Sequence, residues 1–418
     1  MAVPMLQPVA NSSRLAGLSP IQVARELRHL DGLVFFDSAG NAPSNALSVI
    51  AVSPQQVFRG SIHCPEDQQT LRRALEEGPS SANDHGLPVG GLCGWVEYEG
   101  DFVFGDYREM LVFSHSSDTW FETGTLSSQL GPCHHPGEIS DCTPSSSRQE
   151  FIAGVERAKQ WIAAGDIYQV NLSQTFTTRA EGDLFGLYES LRDLSPAPMA
   201  AYLKLGDREI LSSSPESFLK ISGRSIETRP IKGTRPRFAD PDEDRRAAYD
   251  LQTSPKEIAE LVMITDLLRN DLGQVCEFGS VEVTDMLRLE SLPQVHHLVS
   301  TVTGRLRGDV DAVEALAACF PGGSITGAPK RRAMEIIREI EQSPRGVYCG
   351  AIGWLGFNGE SQFNIAIRTL VREGAKLTYH VGAGIVADSD PVAEYEETLH
   401  KAAGIRLAIE AHHWGEKL

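Results

Sequence analysis

The chain is poor in features that mark several large classes of protein. It has no basic surplus, because 38 Lys and Arg residues stand against 56 Asp and Glu, giving a formal charge of -18 and a pI near 5.1. A nucleic acid or an anionic membrane would require a concentrated basic face, so we expect neither as a partner. The N-terminus lacks a basic start followed by an apolar core, and no run approaches the ~18 apolar residues of a membrane span. These absences predict a cytoplasmic protein.

Cysteine is also too scattered to build a disulfide framework. Seven cysteines are spread over 418 residues, an odd number in a long chain, and we expect reduced thiols. Cys133, His134, His135 and Cys142 match no structural zinc spacing, and the Pro, Gly and Ser around them favour a linker. What the chain does have is length and 41% hydrophobic residues, enough for a large core in two or three domain-sized units or one composite.

The linker composition of residues 131–148 predicts a boundary between a smaller half, residues 1–130, and a larger half, residues 149–418. The segment GLCGWVEYEG, ending at Gly100, recurs as GAIGWLGFNG, ending at Gly359. This similarity suggests two halves with related cores, and chance or simple strand chemistry is the alternative.

Residues 211–237, LSSSPESFLKISGRSIETRPIKGTRPR, concentrate reactive side chains among strand and turn signals. Two short extended runs separated by Ser-Gly-Arg predict a hairpin, which would let Glu216 and Lys232 face each other. Lys232 stands between two prolines and beside Gly233, where the absence of a side chain would let a substrate approach closely. Lys232 is therefore a candidate nucleophile, and a solvated loop lysine is the alternative.

The octapeptide PIKGTRPR resembles the signature of the chorismate-utilising enzymes, and the resemblance extends from about Phe151 to Ala411. It implies an α+β, two-subdomain, anthranilate synthase component I-like fold, with stacked antiparallel sheets and helices on the outside. Lysine in third place is typical of the branch that aminates chorismate at C4, whereas anthranilate synthases are expected to have alanine. The resemblance implies catalytic roles for Lys232, Glu216 and His297.

Two acidic helices are predicted from their caps. Ser254-Pro255-Lys256-Glu257 opens a helix through about Asp271, with apolar residues on most of its circumference, so we expect it to be buried. A second helix begins at Asp388-Ser389-Asp390-Pro391, and Glu394 and Glu397 share one of its faces. On sequence alone, these two residues can equally be solvated acids of a first turn favoured by the helix dipole. The resemblance implies that Glu260 and Glu397 bind Mg²⁺ and that Glu394 does so directly or through water.

The segment FPGGSITGAPK, residues 320–330, leads glycines and hydroxyls into a helix predicted over Pro329 to Glu341. A phosphate loop is excluded because Ala328 stands where the lysine is required. The resemblance assigns Ser324 and Thr326 to one carboxylate of chorismate. It also implies substrate contacts by Gly233, Thr234, Tyr348, Arg368, Gly382, Ala383, Gly384 and Lys401.

The implied reaction replaces the 4-hydroxyl of chorismate with an amino group. Gln169 stands where isochorismate and salicylate synthases are expected to have a water-activating lysine, which argues against water as nucleophile. No glutaminase nucleophile is visible, so ammonia should come from a separate glutamine amidotransferase subunit or from free ammonium.

Anthranilate synthase is the alternative within the family. A catalytically silent tryptophan-binding regulator is the alternative outside it, with Ser38, Pro198 and Met199 at the tryptophan site or simply packed.

Overall fold

The computed structural model describes residues 7–9, 14–38, 46–79, 86–132, 138–140, 143–144, 147–292, 294–341 and 343–415, and the Cys and His residues considered above for zinc (Cys133, His134, His135 and Cys142) lie outside these ranges. The described residues form nine α-helices: α1 (Pro20–Leu27), α2 (Pro65–Glu76), α3 (Arg148–Ala164), α4 (Phe185–Leu194), α5 (Pro241–Thr253), α6 (Pro255–Gly273), α7 (Ala312–Cys319), α8 (Lys330–Ile340) and α9 (Pro391–Gly415). Single 3-10 turns occupy Leu126–Gln129 and Gly323–Ile325.

The strands are β1 (Gln7–Pro8), β2 (Val34–Asp37), β3 (Leu47–Ala51), β4 (Val57–Ser61), β5 (Gly91–Val96), β6 (Asp101–Tyr107), β7 (Met110–Ser114), β8 (Thr119–Thr123), β9 (Glu138–Ile139), β10 (Thr143–Pro144), β11 (Gln169–Glu181), β12 (Met199–Leu205), β13 (Arg208–Ser214), β14 (Ser217–Ser222), β15 (Ser225–Arg229), β16 (Ile231–Pro236), β17 (Glu282–Ser291), β18 (Val295–Arg305), β19 (Gly327–Ala328), β20 (Ala351–Gly356), β21 (Ser361–Ile365), β22 (Thr369–Glu373) and β23 (Lys376–Ile385).

These strands build two antiparallel sheets. The first runs in the order β1-β8-β7-β3-β2-β12-β13-β22-β23-β11-β10, with β9 and β19 also on β11. The second runs β16-β18-β15-β14-β21-β20-β5-β6-β4, with β17 on β18. The fold is therefore α+β, as expected. No helix among the described residues is long and apolar enough to cross a membrane.

Alternation along the strands of the first sheet divides its side chains between two cores. Val34 and Phe36 of β2 point into a core shared with the second sheet, where the rings of Phe36 and Trp354 are 5.0 Å apart. Phe35 points the other way, into a core formed with α1, α4 and α9. The sheets are thus stacked, and these three helices cover the outer face, which confirms the predicted architecture.

The two halves of the chain are joined through both sheets. In the first sheet β2 pairs with β12, and in the second β5 pairs with β20, so that Gly94 lies opposite Gly353. Gly94 also pairs with Phe104 in the next strand, and Gly353 with Phe363 in the same register. The repeated segments therefore form neighbouring strands related by a local twofold axis, which supports the expectation of two related halves.

The predicted helices α6 and α9 begin at Pro255 and Pro391, as expected. A capping box at Ser147 opens α3, and Gly165 ends it in the left-handed conformation with φ of 81°. Pro329 is the N-cap of α8 rather than its first residue. The segment predicted as a linker, residues 131–148, contributes β9 and β10 to the edge of β11.

The prediction of a fully buried α6 was wrong. Leu261, Ile264 and Leu268 are buried, but Val262 is 41% exposed on the opposite face. Asp266 and Arg269 form an ion pair at 2.8 Å on that surface, so neither charge enters the interior. Apolar residues around a helix do not establish burial, because isolated exposed ones are tolerated.

Candidate active site

Lys232 lies on β16 beside a β-bulge. The register of β16 against β18 shifts between Lys232 and Thr234, and Gly233 between them has φ of 74°. A Cβ at Gly233 would come within 2.6 Å of Leu251 and 3.0 Å of Glu257. Glycine is therefore required for the bulge and for packing against α5 and α6. The space in the Cβ direction of Gly233 is thus occupied by the protein's own side chains, and a substrate contact by the Gly233 backbone stays a prediction.

Glu216 lies just before β14, is 6% exposed, and interacts with the charge of Lys232. Burial raises the pKa of its carboxyl group above 4.5, although a hydrogen bond from the Ser324 hydroxyl, the charge of Lys232 and the Ile231 N–H act in the opposite direction. A carboxyl group in this environment favours its protonated form. Ser324, predicted to bind a substrate carboxylate, is engaged with Glu216 in this structure.

His297 is buried beside the same strand. Its Nδ1 is 3.0 Å from the Thr234 hydroxyl and 3.4 Å from the Gly233 carbonyl, which can only accept, so we assign the proton to Nδ1. Burial, followed by the charge of Arg368, lowers the pKa of His297 to about 4, so the ring is neutral at pH 7. Its buried Nε2 has no hydrogen-bond partner among the described residues and offers a free lone pair.

Arg368 follows β21 with a φ of 50°, an uncommon left-handed conformation for a residue with a side chain. It borders a cavity of about 30 Å³ together with His297 and Pro215. Burial lowers the pKa of its guanidinium, which has no ion pair or hydrogen bond with any other described side chain or backbone group. A half-buried, unpaired cation favours an anionic ligand, and a guanidinium suits a planar carboxylate.

Gly382 on β23 is surrounded by polar groups. A Cβ there would meet the Tyr348 hydroxyl oxygen at 2.7 Å and Asn171 Nδ2 at 3.2 Å. Lys401 Nζ donates to the Gly382 carbonyl at 3.0 Å. The missing side chain of Gly382 leaves room for the Tyr348 hydroxyl and the Asn171 amide, while Lys401 binds the carbonyl. The substrate contacts of Tyr348 and Lys401 stay predictions. Asn171 was missed by sequence reasoning, and its Nδ2 has no partner among the described residues.

Gly384 lies farther along the same strand. A Cβ there would come within 2.5 Å of Gln169 Nε2 and 3.8 Å of Lys232 Nζ. Gln169 therefore lies at the site beside the candidate nucleophile, and its buried Oε1 has no partner among the described residues. The period of two along β11 puts Asn171 on the same face as Gln169, a signal from which Asn171 could have been predicted. Ala383, between the two glycines, points into the core.

Thr326 maintains the shape of its loop. Its hydroxyl is fully buried and lies 3.2 Å from the carbonyl oxygens of both Gly322 and Gly323, to which it donates. Its own carbonyl accepts from Asn171 N at 2.9 Å. The structure therefore uses Thr326 to close a turn and to join the loop to β11, and shows no free hydroxyl donor for a substrate there.

The three predicted magnesium ligands lie on two facing helices. Burial raises the pKa of Glu260 on α6, and the negative charge of Glu397 on α9 adds to this. Burial also acts on Glu397, but Lys401, at 2.7 Å, and more distant lysines outweigh it and lower its pKa. Glu394 accepts a hydrogen bond from Ser389 at 2.6 Å and lies deeper.

No set of three Asp, Glu, His or Cys side chains within the described ranges closes around a metal position. Glu260 and Glu397 are nevertheless close enough for their charges to interact, and their oxygen donors suit Mg²⁺, which keeps waters and substrate oxygens as further ligands. The residues present therefore fit a magnesium ion held by two carboxylates.

The residues considered for tryptophan lie together at the junction of the halves. The Ser38 hydroxyl donates to Leu47 O at 2.9 Å and is 3.4 Å from Pro198 O. The Met199 carbonyl accepts from Asn364 at 2.8 Å. Beside them, the buried Oδ1 of Asp37 has no hydrogen-bond partner in the part of the chain that the structure describes.

Comparison with known proteins gives a consistent result. The family model described as chorismate binding enzyme matches residues 95–406. The chain is 45% identical over 347 residues to aminodeoxychorismate synthase component 1 of Salmonella typhimurium, covering 81% of this chain and 75% of that protein. It is 40% identical over 351 residues to anthranilate synthase component 1 of Methanothermobacter thermautotrophicus, covering 77% and 74%.

Among solved structures, anthranilate synthase component I from Streptococcus pneumoniae superimposes with a TM-score of 0.76 at 29% identity. The match covers 87% of this chain and 93% of that one. The likeness includes both sheets, since it spans nearly the whole of each chain.

Proposed function

The chain belongs to the family of chorismate binding enzymes, and on that premise we propose that it replaces the 4-hydroxyl of chorismate with an amino group, forming 4-amino-4-deoxychorismate. The observation that carries the proposal is Lys232, whose amino group lies in the site beside Glu216 and 3.8 Å from the Cβ position of Gly384. Anthranilate formation needs no such lysine, because ammonia then enters C2 directly.

In the proposed reaction the neutral amine of Lys232 attacks C2 of chorismate. Both double bonds of the ring diene shift, the C4–O bond breaks, and Glu216 gives its proton to the departing oxygen, which leaves as water. Ammonia then attacks C4, both double bonds shift back, the C2–N bond to Lys232 breaks, and the proton lost from the incoming nitrogen returns to Glu216. One ammonia is taken up for each water released. Two allylic shifts place nitrogen para to the ring carboxylate.

Substrate binding is proposed for the remaining polar groups. Arg368 pairs with the enolpyruvyl carboxylate, supported by its lack of an internal partner. Tyr348 and Asn171 contact the same group beside Gly382, and His297 faces the ring with its free Nε2. Glu260 and Glu397 would hold Mg²⁺, and the chemistry that the bound ion supplies is electron withdrawal through the ring carboxylate.

The nitrogen source is proposed to be a separate subunit. Relatives are named component 1, which supports a second component that supplies ammonia from glutamine. The product would then serve p-aminobenzoate and folate synthesis.

A direct assay tests the proposal. Chorismate, magnesium and ammonium are supplied with and without aminodeoxychorismate lyase, and p-aminobenzoate is separated from anthranilate by chromatography. We expect p-aminobenzoate only when the lyase is present. Anthranilate as the main product would establish the second candidate, which the 40% identical relative favours.

A tryptophan-binding regulator is the third candidate, and the unpartnered Asp37 oxygen near Ser38 and Pro198 favours it. The other oxygen of Asp37 pairs with Arg192 at 2.5 Å, and Oδ1 is the acceptor that remains for an amino group. Absence of turnover together with tryptophan binding measured by calorimetry would support this function over the first two.

A further inference from the structure

A buried ion pair outside the reacting groups connects the parts of the site. Arg345 is 3% exposed and binds Glu341 through Nε at 2.8 Å and Nη2 at 2.7 Å. Its Nη1 donates to Ile325 O at 3.1 Å, and Nη2 donates to Asn171 O at 2.7 Å. Glu341 also accepts from Ser173 N at 2.8 Å. One guanidinium thus connects the end of α8, the 324–326 loop and β11.

Each of these attachments adjoins a residue that the proposed function uses. Ile325 stands next to Ser324, which bonds Glu216. In the first sheet, Asn171 pairs with Gly384 and Ser173 pairs with Gly382. The guanidinium therefore joins the segment that holds the proton donor to the glycine strand on which the polar groups converge.

The same side chain also supports Tyr348. The guanidinium carbon lies 4.6 Å from the ring centre of Tyr98 and 5.8 Å from that of Tyr348. Tyr348 N donates to the Arg345 carbonyl at 3.2 Å, and its ring stacks on His380 at 5.1 Å. Tyr348 is consequently held through its main chain and by contacts of its ring with Arg345 and His380.

Stability alone is a poor reason to bury these charges. Removing a guanidinium and a carboxylate from water costs several kcal/mol, and apolar residues of similar volume often stabilise a core as well. Apolar residues cannot provide directed hydrogen bonds. The planar guanidinium of arginine can bind two carbonyl groups and a carboxylate at the same time. Lysine keeps the charge but loses this geometry.

We propose that the Arg345–Glu341 pair is a positioning device that sets the spacing between the 324–326 loop and the 382–384 strand, and so determines affinity for chorismate. The inference rests on the proposed function, because it takes chorismate as the substrate between those segments. Arg345 touches no substrate in this scheme and acts through Ile325, Asn171 and Tyr348.

The test compares Arg345→Lys and Glu341→Gln with the parent by KM for chorismate, KM for ammonium, kcat and thermal midpoint. Calorimetric binding of chorismate with magnesium is compared in a Lys232→Ala background, where no adduct at Lys232 can form. We expect KM and Kd for chorismate to rise about tenfold, as for loss of one charge-assisted hydrogen bond, with KM for ammonium within about twofold. A purely structural role would lower the thermal midpoint and the active fraction and leave both KM values unchanged.

Arg372→Lys is the matched control, because Arg372 is half-buried and forms an ion pair with the buried Glu209 away from the site. It should lower stability without changing either KM. The inference is overturned if Glu341→Gln and Arg345→Lys bind chorismate within twofold of the parent. If Arg345→Lys does not fold, Glu341→Gln decides alone, since it keeps the side-chain volume. Failure of the proposed function is distinct: the parent then binds chorismate without forming the amino product.

Discussion

Lys232 is free to act as a nucleophile because none of the described residues forms an ion pair with it, although Glu216, Glu260 and Glu397 all experience its charge. Each of these acids has another proposed role, either as proton donor or as metal ligand. An amino group in a close ion pair would have to break that pair before attacking carbon. The amino group of Lys232 instead lies next to Gly384, which has no side chain.

The first prediction follows from that geometry. When ammonia is withheld, the parent mixed with chorismate and magnesium should gain the mass of chorismate minus water, mapped to Lys232 by digestion and mass spectrometry. Lys232→Ala should lose both the adduct and the para-amino product. Because Glu216 and Arg368 remain, residual product in this variant should have nitrogen ortho to the carboxylate.

Lys220→Ala, in the same hairpin on β14, provides the control and should form the adduct normally. Aminodeoxychorismate formed by Lys232→Ala at the parental rate would exclude the lysine as nucleophile.

The second prediction uses the raised pKa of Glu216. Glu216→Gln removes the proposed proton donor, so kcat should fall by about 100-fold or more while KM for chorismate changes little. Because burial raises the folded pKa above 4.5, folding favours the protonated form, and the parent loses stability as pH rises through that pKa. The Glu216→Gln variant has an uncharged amide at this position and should not lose stability in this way.

Urea unfolding at pH 5 and pH 8 measures this difference. The free energy of unfolding of the variant should increase relative to that of the parent between pH 5 and pH 8. The acid would then lower stability while serving activity. Equal differences at the two pH values would show that Glu216 is ionised in the folded protein.

Two elements, α6 and α9, bring the proposed metal ligands together. Glu260→Gln or Glu397→Gln should reduce turnover at least 100-fold at limiting magnesium, because a site with two protein carboxylates loses charge and geometry together. Thermal midpoints without magnesium should stay close to that of the parent, since neither residue lies in a packed core.

Glu396→Gln is the control on α9, because Glu396 is exposed next to the proposed ligand. Turnover in both ligand variants equal to that of the control would refute the magnesium assignment.

Short sequence motifs predicted where helices begin better than they predicted which distant residues pack against each element. Ser147, Ser254 and Asp390 begin helices because their side chains accept from the first turn, an interaction that neighbouring residues determine. The bulge at Gly233 depends on β18, α5 and α6, which are distant in sequence. For the same reason the exposed face of α6 and the second amide, Asn171, were not found.

At the scale of the molecule, the site arises where the halves differ. Between β3 and β5 the smaller half has β4 and α2, whereas between β13 and β20 the larger half has β14 to β19 and α5 to α8. Lys232, Glu216, Glu260, His297 and Ser324 all belong to that larger insertion. The strands that the two halves share provide the framework, and the repeated sequence segments indicated them. The sequence alone did not reveal that both sheets continue from one half into the other.

The last prediction concerns that continuity. Expressed alone, residues 147–418 would expose the edge of β12 that β2 covers and the edge of β20 that β5 covers, together with the ring of Trp354 that packs on Phe36. Unpaired edges and exposed core favour aggregation. We therefore expect this fragment to be insoluble or inactive, measured by sedimentation and by the chorismate assay.

Coexpression with residues 1–146 should restore soluble protein and at least part of the activity, because the two interfaces are specified by strand register rather than by the covalent connection between the halves. Residues 1–60, which lack β5 and β6, should not restore it, since the edge of β20 then stays uncovered. If residues 147–418 alone are monomeric, folded and active, the larger half is an independent domain and the shared sheets do not hold the site together.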